Sequence, residues 1–501
     1  MMRGDTLMKE GLILAIDQGT TGSTALLFDH QGRERGRGYR EITQHYPQPG
    51  WVEHDPVEIL ERTREAVADA LAAAGGQAPV AVGLTNQRES VVVWERATGQ
   101  PIHRAIVWQC RRTADACAKL REGGHEETIR QATGLVLDPY FSGTKLAWIL
   151  DQVPGARVRA EAGELAAGTI DSWLIWHLTG GTVHATDPSN ASRTMLYDLH
   201  AGDWSDDLCG RLRVPRAVLP GLVPSSGPIG RTVAWGALPA GVPLTGCAGD
   251  QQAALFGQGC LNVGEAKNTY GTGCFLLVHA GDQPVVPGEG LLGTVAWQLG
   301  TRRSFAVEGS VFVGGAAVQW LRDGLGLIAA AHESELLARS VPDSGGVVMV
   351  PAFTGLGAPY WDADARGALL GLTRGTTRAH VVRATLEAIA HQVTDLLEAM
   401  APSVPGGLGN LRVDGGAAAN DLLMELQADF SGQAIVRGDK VEATARGAAL
   451  LAGLGSGFWE HPGELPRPLE EQVFLPKMAA DDRTASRARW GRAVDRVRGP
   501  L

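Results

Sequence analysis

Short apolar runs that stop at glycine- and threonine-rich turns dominate the chain. Residues 12–16 end in Asp17-Gln18-Gly19-Thr20-Thr21 and resume as Ala25-Leu26-Leu27-Phe28-Asp29, which predicts a β-hairpin. Residues 56–74 predict a helix, with Asp55 as N-cap ahead of Pro56. Residues 80–84 predict a strand that ends in Thr85-Asn86-Gln87-Arg88-Glu89, with a further run at 91–94. Strands and helices alternate to about residue 250, where Leu244-Thr245-Gly246-Cys247-Ala248-Gly249-Asp250 closes another run. The theme then repeats. Asn268-Thr269-Tyr270-Gly271-Thr272-Gly273 is a second Gly/Thr turn, leading into an apolar run at 274–278. Residues 379–400 carry the clearest helical pattern: Val382, Leu386, Ile389, Val393, Leu396 and Met400 fall at three- and four-residue steps. A short strand at 411–413 runs into Asp414-Gly415-Gly416, and helical spacing returns from Asp421. The mixture predicts an α/β class with sheets covered on both faces. A Gly/Thr turn in each half suggests two similar domains.

Bulk properties narrow the chemistry. A chain of 501 residues with 44% hydrophobic content suits two large domains. No run is long enough for a transmembrane helix, so no stable membrane insertion is expected. The N-terminal stretch lacks the apolar core of a signal peptide. A net charge of -10 without long like-charged blocks argues against nucleic acid as a partner. Six cysteines without a C-x-x-C pair fit reduced thiols and a cytoplasmic location. The 66 glycines are not periodic, and many close apolar runs, where backbone must turn or approach a ligand. The arginine-rich tail beyond residue 483 reads as a solvated terminal helix.

The candidate chemistry sits at strand ends, where open α/β folds bind ligands. The turns DQGTT and YGTG offer backbone N–H groups and threonine hydroxyls to phosphate. Either turn alone is equally an ordinary hairpin. Phosphoryl transfer to an alcohol needs a base and Mg²⁺ near the phosphates. Asp250 is the candidate base and Asp17 a candidate Mg²⁺ organiser through water; an aspartate at a strand end can also simply cap a turn. Arg88 and Glu89 could donate to and accept from hydroxyls, or form a plain surface pair. There is no G-x-x-x-x-G-K-[ST], H-R-D, D-F-G or H-E-x-x-H. The one G-x-G-x-x-G, at Gly288, Gly290 and Gly293, lacks the strand-to-helix setting and reads as a loop.

These residues belong to longer matches: LAIDQGTT, GLTNQRES, AIVWQCRRTA, DPYFSGTKLAWILD, GDQQAALFGQ, KNTYGTGCF and LRVDGGAAAN. From about residue 12 to residue 460 the chain resembles the glycerol-kinase branch of the carbohydrate kinases, which share the actin, Hsp70 and hexokinase architecture. The resemblance implies two RNase H-like domains, at 10–256 for glycerol and 257–501 for nucleotide, with a cleft between them. It implies ATP-dependent phosphorylation of glycerol to sn-glycerol 3-phosphate, with Mg²⁺ near Asp17 and Asp250. Arg88, Glu89, Tyr140, Asp250 and Gln251 match positions that hold hydroxyls; Trp108 and Phe275 match aromatic positions beside the carbon backbone. Asp250, ionised at pH 7 with an ordinary pKa of about 3.9, matches the general base. Thr20, Thr21 and Gly22 match the first phosphate turn and Thr272 the second. Gly315, Gln319, Gly416 and Asn420 match the nucleotide site. Family members are often oligomeric, so a homodimer or homotetramer is expected. Another polyol or a pentulose is the alternative substrate, and a non-catalytic ATP-binding protein the alternative class. One departure stands out: Thr24 occupies a position where the family usually has an arginine facing the phosphates. The stretch 225–243 lacks a histidine, so activation by histidine phosphorylation there is not expected; nor is sugar-bisphosphate inhibition.

Overall fold

The computed structural model describes residues 11–288, 290–438, 442–467 and 471–499. Its centre is a 13-stranded sheet. In chain order the strands are β1 (Ile13–Gln18), β2 (Gly22–Phe28), β3 (Glu34–Glu41), β4 (Ala81–Asn86), β5 (Ser226–Arg231), β6 (Pro243–Gly249), β7 (Ala266–Tyr270), β8 (Cys274–Gly281), β9 (Leu292–Leu299), β10 (Arg302–Val311), β11 (Leu411–Asp414), β12 (Ile435–Arg437) and β13 (Gln472–Phe474). Gly293 thus belongs to β9, so the G-x-G-x-x-G pattern runs into a strand rather than a helix.

The same wiring occurs twice. In the first half β1, β2 and β3 form an antiparallel meander, and β1, β4 and β6 run parallel. In the second half β7, β8 and β10 form the meander, and β7, β11 and β12 run parallel. A single pairing, Ser226 with Leu299, joins the halves through β5 and β9. Each Gly/Thr turn is therefore the tip of the hairpin that opens its half.

Alternation explains why β1 is apolar from Ile13 to Ile16. Leu14 and Ile16 pack on one face with Ala66, Val67 and Ala70 of helix α1 (Pro56–Ala73). Ile13 and Ala15 pack on the other with Ala445, Ala448 and Ala452 of a late helix, Ala443–Ser456. A strand buried on both faces needs no polar alternation. Asp55 caps α1 as expected, accepting from the backbone N–H of Val57 at 2.9 Å. The chain thus returns to the first half after building the second.

In the second half, the long helix Arg378–Met400 turns all six predicted apolar positions inward; each is fully buried. Burial of side chains this size contributes about 1.5–3 kcal/mol each. The arginine-rich tail departs from expectation. It is a helix, Ala480–Asp495, but it is docked rather than solvated. Trp490 is buried and donates to Asp395 at 2.8 Å, and Arg487 reaches Asp395 at 2.5 Å and Glu398 at 2.7 Å. Charge counting missed the single tryptophan that anchors it. No helix among the described residues is long and apolar enough to cross a membrane.

Candidate active site

Four of the predicted hydroxyl-binding residues meet where β4 and β6 end. Arg88 follows β4, and Asp250 opens an eight-residue helix, α2 (Asp250–Gly257), directly after β6. Arg88 Nε lies 3.1 Å from Asp250 Oδ1 and 3.8 Å from Glu89 Oε1. Neither Arg88 nor Glu89 is a surface pair; both side chains are about as buried as any in the core, at 2% exposure. Glu89 holds φ at 60°, a left-handed conformation that costs a non-glycine residue about 1–3 kcal/mol. That turn lets its carboxylate accept from Arg193 Nε at 2.7 Å.

Two residues that sequence reasoning missed hold this group in place. Glu308, on β10 of the second half, accepts from Arg88 Nη1 at 2.5 Å, Arg88 Nη2 at 3.1 Å and Arg193 Nη2 at 2.9 Å. Burial works to raise the Glu308 pKa, but Arg193 and Arg88 outweigh it and hold the carboxyl at about 2. Glu89 shares fewer donors, so there burial wins and its pKa is raised. The signal for Glu308 was present in the sequence: a lone carboxylate within Phe305-Ala306-Val307-Glu308 is an interior charge that requires partners. Arg193 carries no comparable signal.

Asp250 departs from the ordinary pKa expected of it. Burial pushes it up, opposed by Arg88, the Gln251 backbone N–H and Lys267. Its side chain keeps 29% exposure, so it faces the cleft while its neighbours restrict water. Asp17, at the end of β1, is pushed up to about 8, first by burial and then by the charge of Asp250. The charge of Asp250 reaches Asp17, so the two carboxylates resist joint ionisation. Gln251 accepts from Lys267 Nζ, a buried lysine on β7 that also reaches Thr269 Oγ1 at 3.0 Å.

Trp108 and Tyr140 come from the segment inserted between β4 and β5. Trp108 and Tyr140 meet edge to face at 5.5 Å. Trp108 Nε1 also donates to Thr20 Oγ1 at 2.9 Å, linking the aromatic wall to the first turn. Thr20 and Thr21 stand at the tip of that turn, and Gly22 is buried behind them. Phe275 pairs with Ser310 across β8 and β10, while Glu308 pairs with Leu277; Phe275 and Glu308 therefore share one sheet face. Thr24 lies directly opposite Asp17 in the β1–β2 ladder, so no cation stands beside that carboxylate from β2.

In the second half, Thr272 is exposed at its turn, and its carbonyl accepts from Gly314 at 2.8 Å and Ala316 at 3.1 Å. Gly315 donates to Gly271 O at 2.8 Å and starts the helix Gly315–Asp323, on which Gln319 is exposed. Any side chain at Gly273 would overlap Val311 O. Gly416 has open space where a Cβ would stand, after Gly415 turns at φ 89° against Tyr270. Asn420 is occupied structurally: it caps the helix Asp421–Ser431 through Leu423 N at 2.9 Å and reaches Ser334 at 3.2 Å.

A buried charge cluster beside an aromatic wall, opposite a glycine-lined turn on a duplicated α/β scaffold, defines a phosphotransferase cleft. The chain belongs to the FGGY family of carbohydrate kinases: the family's N-terminal domain model matches residues 12–257 and its C-terminal domain model residues 266–456. Among relatives, the glycerol kinase of Aromatoleum aromaticum is 58% identical over 490 residues, covering 97% of this chain and 99% of the relative. The glycerol kinase of Deinococcus radiodurans is 55% identical over 489 residues, covering 97% of each. The crystal structure of Plasmodium falciparum glycerol kinase with ADP superposes with a TM-score of 0.93 at 33% identity, covering 98% of this chain and 99% of that one. The xylulose kinase of Rhodospirillum rubrum shares the fold, with a TM-score of 0.86 at 23% identity and coverage of 97% and 98%.

Proposed function

We propose that the protein transfers the γ-phosphoryl group of ATP to a terminal hydroxyl of glycerol, giving sn-glycerol 3-phosphate, with Asp250 as general base. The observation that carries this reading is Arg88, fixed by Glu308 and aimed through Nε at Asp250. A small polyol offers only hydroxyls, and charged groups make the strongest hydrogen bonds to them. Arg88, Glu89 and Tyr140 would hold two of these, leaving the third at Asp250. Trp108 and Phe275 would flank the carbon backbone, and Gln251, fixed by Lys267, would add one polar contact. The carboxylate of Asp250 takes the hydroxyl proton as the new P–O bond forms. Its pKa, raised by burial, makes it a stronger base than a free aspartate, and Arg88 opposes that rise.

The first domain, residues 10–256, would hold the polyol, and the second, 257–501, the nucleotide. Thr20, Thr21, Gly22 and Thr272 would cradle phosphates; Gly315, Gln319 and Gly416 would line the nucleotide, with Asn420 shaping that wall. Asp17 and Asp250 are the residues that would hold Mg²⁺, which when bound neutralises phosphate charge. Closure of the halves excludes water, the competing acceptor. A panel of glycerol, dihydroxyacetone, glyceraldehyde and pentuloses with ADP detection tests the assignment. Clear preference for a pentulose would replace glycerol, and ATP binding without turnover on any polyol would remove the activity.

A further inference from the structure

At the far end of the helix that begins with Asp250 lies a cavity of about 480 Å³, separate from the cleft. Its volume falls in the range of small-molecule sites, about 300–1,000 Å³. Phe256 and Gly257, the last residues of α2, form one wall; Trp297 of β9 and Leu450 of the helix Ala443–Ser456 form others. The polar lining is strongly cationic: Arg302, Arg412 and Arg467 stand against one carboxylate, Glu265. Glu265 spends its oxygens on Asn262, at 2.9 Å to the backbone N–H and 3.0 Å to Nδ2. Arg412 is paired with Glu471 at 2.7 Å. Arg302 and Arg467 make no ion pair or side-chain hydrogen bond among the described residues. His279 also lines the space. It is 5% exposed, leans on Trp297 with ring centroids 4.9 Å apart, and its Nδ1 has no hydrogen-bond partner. A buried polar atom left unmade is costly, and a bound ligand would satisfy it.

Two uncommitted guanidiniums beside an apolar wall select an anion with an apolar body. We propose that this cavity binds a small organic anion, a phosphate ester or carboxylate, and that its occupancy acts on the catalytic cleft. The coupling has a physical route. Helix α2 spans eight residues, about 12 Å, with Asp250 at one end and the cavity at the other. It packs backbone to backbone on the helix Ala443–Ser456: a Cβ at Gly257 would overlap Ala443 O, and one at Gly447 would overlap Ala253 O. The two helices therefore move together. Leu299, another lining residue, makes the single strand pairing that joins the halves. A ligand wedged here bears on both Asp250 and the strand pairing that joins the halves.

The test uses phenyl phosphate and benzoate as probes, with the cleft blocked by glycerol and a non-hydrolysable ATP analogue. Isothermal titration compares the wild-type chain with the double variant Arg302→Ser, Arg467→Ser. Both positions are exposed and outside the cleft, so folding is expected to survive; a thermal melt checks this. The wild type is expected to bind at least one probe, and the variant at least tenfold more weakly, with its own kcat and glycerol KM within twofold of wild type. Saturating probe is expected to shift the wild-type glycerol KM at least twofold. Preference for phenyl phosphate assigns a phosphate ester, and preference for benzoate a carboxylate. Absence of binding, or equal binding by the variant, overturns the site; binding without a KM shift overturns the coupling. The binding arm does not depend on the proposed kinase activity, so the two can fail separately.

Discussion

Replacing Glu308 by Gln keeps the side chain's shape and removes one charge from the interior. Glu308 now serves three N–H donors from Arg88 and Arg193, with side chains 2%, 2% and 0% exposed. Without it, two buried guanidiniums share Glu89, with Asp250 left to Arg88 alone. Removing one partner of a buried ion pair costs about 3–5 kcal/mol of stability. The kinetic effect is separate. Arg88 would no longer be held on two sides, and a hydrogen bond from a charged group is worth about 1.5–3 kcal/mol. At 1.36 kcal/mol per tenfold, kcat/KM for glycerol should fall by about 10- to 150-fold. Most of this should appear as a higher glycerol KM, with the ATP KM little changed, because Glu308 makes no contact with the phosphate turns. The pH dependence supplies an independent check. The Glu308 pKa is depressed from 4.5 to about 2, so its stabilisation is present above pH 4.5 and is lost as pH falls toward 2. Glu308→Gln should be less stable at neutral pH and lose less on acidification through that window. A coupled ADP assay with glycerol titration and acid unfolding followed by tryptophan fluorescence measure both. A variant with kcat/KM and acid profile within twofold of wild type would refute the positioning role.

Three further outcomes are expected. Asp250→Asn should lower kcat by at least about 10²-fold, the usual range for loss of a general base, while nucleotide still binds by titration calorimetry; retained turnover would remove Asp250 as base. Thr24→Arg should place a cation opposite Asp17, lowering the ATP KM about tenfold and the Asp17 pKa below 8; an unchanged KM would show that this position does not face the phosphates. Trp490→Ala should remove the anchor of the terminal helix at a cost of about 3–5 kcal/mol, seen as a lower Tm and faster proteolysis beyond residue 479; an unaltered melt would contradict the docked helix.

The hairpins, the capped helix at 56, the long helix at 378 and both Gly/Thr turns were legible because each is set by local pattern. The residues bound for the cleft were legible one by one at strand ends, but not as a group. Nothing local distinguishes Arg88-Glu89 from a solvated pair; what buries it is Glu308, 220 residues away on a different half. The pKa of Asp250 was misjudged for the same reason, since desolvation depends on what closes over the residue. The terminal helix was misread because its arginines look, by charge, like a solvated helix, while its docking rests on Trp490, Ala493 and Val494.

The duplication itself explains the chemistry. Each half opens on a hairpin whose tip presents glycine and threonine, and each runs parallel strands beside it. Two copies facing one another supply two glycine- and threonine-lined tips but only one charged niche, because the insertion carrying Trp108 and Tyr140 occurs between β4 and β5 of the first half alone. The second half contributes Glu308 where a polar niche of its own would otherwise be buried without purpose. Its carboxylate crosses to Arg88 and Arg193, so the residue that holds this charged niche also ties the halves together. Any motion that separates the halves must stretch an ion pair less than 3% exposed, and ends by withdrawing Glu308 from Arg88 and Arg193. Opening the cleft and unpairing Arg88 from Glu308 are then one event.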